Sequence, residues 1–261
     1  MFDYHLHTRV SYDSNNDPAE VVRAAKAAGI REMCFTDHRD YDPLGRAKDI
    51  AFDVDVYSRE YDHLEMDGIK IRRGFEFGML CDNKVQLHQD TKQRNYDFII
   101  GSVHFTDKQD PYFDPFWSDK TIDQAERIYL EDVLACVTHH DGFDVLGHLT
   151  YISKAWANPS KRPVEYSRYR EIVDEIFKVL IQKGKGIECN TSGLEPCGVF
   201  LPSVDFLRRF KELGGQIVTV GSDAHDLRRV GQFCMDACKL VNEIFGYVCT
   251  FENRQPIFHK L

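Results

Sequence analysis

Short apolar, β-branched runs alternate with helical segments along nearly the whole chain, and that alternation limits the fold more than any other feature. Strands are expected at residues 2–6, 32–36, 69–75, 96–103, 143–146, 186–189 and 216–220. Helices are expected at 19–28, 54–66, 122–138, 166–183, 204–213 and 234–245. The first helix carries its own punctuation, with Asp17-Pro18 as cap and first-turn proline and Gly29 as stop. In the 166–183 segment Ile172, Ile176, Val179 and Leu180 recur at helical spacing. Strand followed by helix, repeated, argues for an α/β protein with a parallel sheet covered by helices. Seven such units favour closure into a (β/α)7 TIM-like barrel over an open sheet. Residues 39–53 and 106–120, rich in Asp, Pro and aromatics, read as long loops beside the barrel mouth. A single domain spanning 1–261 accommodates all of this.

Composition narrows the chemistry. An apolar fraction of 43% supports a sizeable core. The formal net charge is −9, and no basic run exceeds two residues, so a nucleic-acid polymer is not expected as partner. A small anionic substrate stays compatible with the acidic balance, because bound divalent cations reverse the local sign. The eight cysteines (34, 81, 136, 189, 197, 234, 238 and 249) form no CxxC pair and no disulfide framework. The polar N-terminus does not read as a signal peptide, and no apolar run is long enough to span a bilayer. A reduced, cytoplasmic protein with no membrane partner is expected, with homo-oligomer formation left open.

The chemistry-bearing residues follow the strands. His5 and His7 end the first, Asp37 and His38 the second, and Glu76 the third. Ser102 and His104 end the fourth, His148 the fifth, Asn190 the sixth, and Ser222, Asp223 and His225 the seventh. In a parallel barrel, the carboxyl ends of strands meet at one rim, which is where such folds do their chemistry. His5-Leu6-His7 places two imidazoles on one side of a strand, and Asp223-Ala224-His225 repeats the spacing. Imidazole with carboxylate suits Zn, Mn or Fe(II). Any one of these histidines alone would usually be an ordinary satisfied or solvent-facing residue. His63, His88, His139, His140 and His259, outside the pattern, keep that ordinary reading.

In strand order the motifs are Asp3-Tyr4-His5-Leu6-His7-Thr8, Phe35-Thr36-Asp37-His38, Gly74-Phe75-Glu76, Ile100-Gly101-Ser102-Val103-His104, Leu146-Gly147-His148 and Gly221-Ser222-Asp223-Ala224-His225. This set resembles the polymerase-and-histidinol-phosphatase (PHP) superfamily, nearly end to end. Within it, Glu188-Cys189-Asn190-Thr191-Ser192-Gly193-Leu194, Pro202-Ser203 and Phe251-Glu252-Asn253-Arg254 resemble the monofunctional histidinol-phosphate phosphatases. The resemblance implies a distorted barrel holding two to three divalent metal ions (Zn, Fe or Mn), in a trinuclear centre. It implies His5, His7, Glu76 and Asp223 around the first ion, and Glu76, His104 and His148 around the second. Asp13, His38 and His225 would surround the third, with Asp13 where many relatives carry His. Asp223, His225 and Glu76 would be catalytic.

The implied activity is hydrolysis of a small phosphate monoester, L-histidinol phosphate above all, in histidine biosynthesis. Relatives of that branch place an arginine where this chain has Glu195. Arg9, Lys154 and Arg162, with Asn190, are therefore the candidate substrate-binding residues. Glu195 also keeps open a PHP phosphoesterase acting on a nucleotide, sugar phosphate or phosphodiester. A PHP nuclease is the more distant alternative, and net acidity argues against it.

Overall fold

The computed structural model describes residues 1–45 and 50–261; residues 46–49, part of the expected 39–53 loop, lie outside them. The expected barrel is present. Strands β1 (Phe2–Leu6), β2 (Glu32–Phe35), β3 (His38–Arg39), β4 (Lys70–Gly78), β5 (Phe98–Ser102), β6 (Val145–Leu146), β7 (Gly186–Asn190) and β8 (Val218–Gly221) are all parallel. Seven of them run in the order β1-β2-β4-β5-β6-β7-β8, and β3 is a short addition beside β4. Closure between the first and last strands is limited to their carboxyl ends. There Asp223 N donates to His5 O at 2.8 Å and His7 N to Ala224 O at 3.1 Å.

Helices α1 (Pro18–Ala27), α2 (Val54–Tyr61), α3 (Lys84–Asp90), α4 (Asp114–Trp117), α5 (Ile122–His139), α6 (Arg170–Gln182), α7 (Leu194–Cys197), α8 (Val204–Glu212) and α9 (Cys234–Phe245) complete the chain between and after the strands. α1 starts where its cap predicts, with the Asp17 carboxylate accepting from Ala19 N and Glu20 N and Pro18 in the first turn. α5 opens on a capping box in which Thr121 and Gln124 satisfy each other's backbone donors. α2 stops at Tyr61, short of the expected Met66, and a 3₁₀ turn at Tyr166–Arg168 precedes α6. Tyr57 and Tyr61 of α2 are fully buried, and Tyr57 OH reaches Gly74 O at 2.8 Å, which fixes this helix against β4.

A C-terminal hairpin, β9 (Val248–Glu252) and β10 (Gln255–His259), lies outside the sequence-based expectation. It covers the amino end of the barrel. Phe251 packs on Phe98 with ring centroids 4.9 Å apart and its carbonyl accepts from Tyr4 OH at 3.1 Å. With that end sealed, the carboxyl end is the open one. No helix among the described residues is long and apolar enough to cross a membrane.

Candidate metal centre

The carboxyl rim gathers all nine residues expected as metal ligands. His5 lies within β1 and His7 just beyond it, with ring centroids 5.1 Å apart. His38 comes from β3 and Glu76 from β4, while His104 and His148 follow the ends of β5 and β6. Asp223 and His225 were expected on the last strand, but β8 ends at Gly221 and they sit in the turn after it. Asp223 adopts a left-handed backbone with φ of 56°, a conformation uncommon for a residue with a side chain, though Asp tolerates it better than most.

Glu76 is the hub. Its Oε2 lies 3.2 Å from His5 Nε2, 3.1 Å from His38 Nδ1 and 3.6 Å from His7 Nε2. Its Oε1 lies 2.9 Å from His148 Nε2 and 3.2 Å from His104 Nε2. Asp223 Oδ1 faces His5 Nε2 at 3.6 Å and His7 Nε2 at 3.5 Å. Asp13 Oδ2 faces His38 Nε2 at 3.3 Å and His225 Nε2 at 3.1 Å. The side chains thus fall into four overlapping groups among the described residues: His5, His7 and Asp223; His5, Glu76 and His148; His7, Asp13, His38 and His225; His38, Asp40 and His104.

Hydrogen bonding within the protein does not account for this packing. His5 Nε2, His7 Nε2, His38 Nδ1 and Glu76 Oε2 are buried with only the contacts given above, none of them a well-aligned hydrogen bond. Each such atom costs about 1–3 kcal/mol, so four in one place point to a missing group. In two places imidazole nitrogens face each other at 3.4 Å, His104 Nε2 with His148 Nε2 and His38 Nε2 with His225 Nε2. The outer ring nitrogens are tied down: His5 Nδ1 to Glu188 Oε1 at 2.7 Å, His104 Nδ1 to Asp40 Oδ2 at 3.0 Å and His7 Nδ1 to Ser11 Oγ at 3.0 Å. Such bonds leave Nε2 turned inward as the free donor, the arrangement around bound metals. The donor set of imidazole and carboxylate fits divalent cations of the Zn, Mn and Fe kind.

Charge tells the same story. Burial opposes charge on His5 and His38, yet Glu188, Glu76 and Asp223 around the first, and Asp40, Glu76 and Asp13 around the second, hold both well above the usual histidine range. His104 is likewise pushed up to about 10, against burial, by Asp40 and Glu76. Burial and the neighbouring His225 and His38 hold His7 well below that range. Burial would raise Glu76, but His5, His104 and His38 keep it ionised.

Above the cluster opens a cavity of roughly 810 Å³, lined by ligand residues and by Tyr12, Asp110, Tyr112, Phe113, Tyr151, Lys154, Ser192, Glu195 and Arg229. Of the expected substrate-binding residues Lys154 lines it, pairing with the Asp223 carboxylate and donating to Ser192 Oγ at 2.9 Å. Three other expected substrate residues do not line it. Arg9 is turned to the surface and bound by Asp17 and by Glu60 at 2.7 Å. Arg162 is exposed away from the cavity. Asn190 is fully buried beneath the floor, where its Nδ2 donates to Glu188 Oε2 at 3.1 Å and its Oδ1 accepts from Ser192 N at 2.9 Å. It braces the site and does not face the opening.

Sequence reasoning missed Asp40, Glu188 and Arg229. Glu188 had a signal: it sits two residues before Asn190 on β7 and so shares its barrel-facing side. Gly221 makes room for it, since a Cβ there would collide with both the Glu188 carboxylate and the His5 side chain. Asp40 looked like any loop acid. Arg229 is recognisable only through its partner, Glu195.

A closed parallel barrel with imidazoles and carboxylates crowded at its carboxyl rim defines a metal-binding hydrolase barrel. The chain belongs to the PHP domain family, which residues 3–192 match. It is 32% identical over 231 residues to the histidinol-phosphatase of Lactococcus lactis subsp. lactis (strain IL1403), covering 87% of this chain and 85% of that protein. It is also similar to the crystal structure of the L. lactis histidinol phosphate phosphatase complexed with zinc, L-histidinol and phosphate. The TM-score is 0.84 at 30% identity, over 98% of both chains. A solved structure from Listeria monocytogenes shares the fold, with a TM-score of 0.73 at 18% identity.

Proposed function

We propose that this protein is a metal-dependent phosphatase that hydrolyses L-histidinol phosphate to L-histidinol and phosphate, a step of histidine biosynthesis. The observation that carries the reading is the convergence of five imidazoles on the two oxygens of Glu76, with nitrogens and an oxygen buried in no well-aligned hydrogen bond. Its similarity to a protein solved with zinc, histidinol and phosphate supplies the substrate. Two to three divalent ions (Zn, Fe or Mn) are held in overlapping sets: His5, His7, Glu76 and Asp223; Glu76, His104 and His148; Asp13, His38 and His225. When bound, such ions stabilise charge on phosphoryl oxygens and lower the pKa of water towards about 7.

The chain's own residues do the rest. Glu76 joins the sets and fixes their spacing. Asp223 and His225, at the cavity floor, are placed to manage the proton of the leaving alcohol. Lys154 supplies positive charge beside them. The far wall suits a cationic alcohol. Asp110, whose Oδ1 accepts from Tyr112 N at 2.8 Å, is the one lining carboxylate among the described residues with no cationic or imidazole partner. Tyr12, Tyr112 and Phe113 beside it offer ring faces to an ammonium or an imidazole.

The test combines elemental analysis of purified protein with turnover of histidinol phosphate and a panel of nucleotide, sugar and simple aryl phosphates. Two to three metals per chain and a clear preference for histidinol phosphate are expected. Equal turnover across the panel would leave a general phosphoesterase. Replacing Asp110 with Asn should raise KM for histidinol phosphate by about tenfold while leaving an aryl phosphate unaffected.

A further inference from the structure

Two adjacent arginines follow His225 and do different things. Arg228 points outward, its side chain 89% exposed and closed on Asp226 at 2.8 Å. Arg229 turns inward and lines the cavity above the metal-ligand cluster. The turn that carries it is tight: Arg229 N donates to Asp226 O at 2.9 Å, only four residues beyond His225. Its guanidinium pairs through one nitrogen with Glu195 Oε2, and Glu195 Oε1 accepts from Gln232 Nε2 at 2.8 Å. Glu195 is thus held from two sides and fixes the guanidinium at the rim. Both partners of the Arg229–Glu195 pair are nearly half exposed, so the pair by itself does little for stability. Lys154, the other non-histidine cation among the described residues lining the cavity, is already neutralised by Asp223 at the floor.

We infer that Arg229, positioned by Glu195, is the guanidinium that binds the phosphate of the substrate in this chain. A guanidinium offers five donors in a planar fork matched to phosphate oxygens, and the bond to Glu195 uses one of its nitrogens. An acid at position 195 is then no obstacle to a dianion, because its charge is answered by the arginine it steers. The inference rests on the reading of the site as one for a phosphate ester.

The experiment measures inorganic phosphate binding to the metal-loaded protein by calorimetry, with metal content and unfolding temperature recorded for each variant. Arg229→Ala should weaken phosphate binding about tenfold or more with unchanged metal content, and Arg229→Lys should recover part of the loss. Glu195→Gln should weaken it by a smaller factor, about two- to fivefold, because the strut is lost and the cation stays. Phosphate affinity in Arg229→Ala within about twofold of the parent protein overturns the assignment. Tighter binding in Glu195→Gln also overturns it, since Glu195 would then compete for the arginine. If histidinol phosphate is not turned over but phosphate binding still collapses in Arg229→Ala, the ester is wrong and the role of Arg229 stands.

Discussion

The two ends of the barrel are both buried and both charged, yet they balance charge by opposite means. At the amino end, Arg72 Nε donates to Glu32 Oε1 at 3.1 Å, and its Nη1 donates to Glu252 of the hairpin at 2.9 Å. Tyr4 OH adds a bond to Glu32 at 2.6 Å, and Arg254 binds Asp144. Carboxylates there meet guanidinium groups. At the carboxyl end, Asp13, Glu76 and Asp223 meet imidazoles, and two pairs of imidazole nitrogens face each other at 3.4 Å. A buried charge must be compensated wherever it lies. The amino end does so with its own side chains; the carboxyl end is complete only with cations from outside. Imidazole nitrogens facing each other at 3.4 Å, His104 with His148 and His38 with His225, therefore mark the functional cluster, where the amino end has guanidinium against carboxylate.

The largest expected effect lies in substitutions at the rim. Glu76→Gln should remove metal and lower kcat by at least about a thousandfold, read by elemental analysis and steady-state turnover. Arg72→Met is the counterpart at the other end. It strands Glu32 in a largely buried position and should cost ~3 kcal/mol in denaturant unfolding, with kcat and metal content unchanged. Should Arg72→Met cost turnover as heavily as Glu76→Gln, the two ends would not be distinct in function.

Proton coupling sharpens the contrast. His5, His38 and His104 have pKa values raised in the metal-free protein, so protons occupy them below those values and a cation must displace them. Metal uptake should release protons, and apparent affinity should rise with pH, by about tenfold per pH unit for each proton displaced. His7 and His148, already held neutral chiefly by burial, add nothing to that release. Calorimetry of the chelated protein in buffers of different ionisation enthalpy counts the protons. Affinity that stays flat between about pH 6 and 8 would contradict this account.

The strands and most helices were legible because apolar runs and helical spacing are local signals, and the candidate metal ligands because all but Asp13 lie at strand ends of a parallel barrel, Asp13 coming from the family resemblance alone. The rest depends on contacts that no local signal encodes. The hairpin that seals the amino end turns through Asn253 and Arg254 at φ of 50° and 64°, and arginine is not a residue that advertises a left-handed turn. Helix α3 is seven residues long and has no side-chain cap. Arg9 was a candidate to replace the arginine that relatives carry at position 195, but Asp17 and Glu60 hold it on the surface. Arg229 became visible only beside Glu195, a partner 34 positions away.

The smallest effect is expected within the amino end itself, between two cations that share the same acids. Lys70 Nζ lies 4.0 Å from Glu32 and 3.8 Å from Glu252, and its side chain is 49% exposed, against 9% for Arg72. At such distances, with water on one side, the attraction is screened and offset by the entropy of holding a long side chain. Lys70→Ala should therefore leave the unfolding midpoint unmoved, while Arg72→Met lowers it clearly. A loss for Lys70→Ala comparable to that of Arg72→Met would mean that net charge at this end matters more than the buried geometry of a single guanidinium.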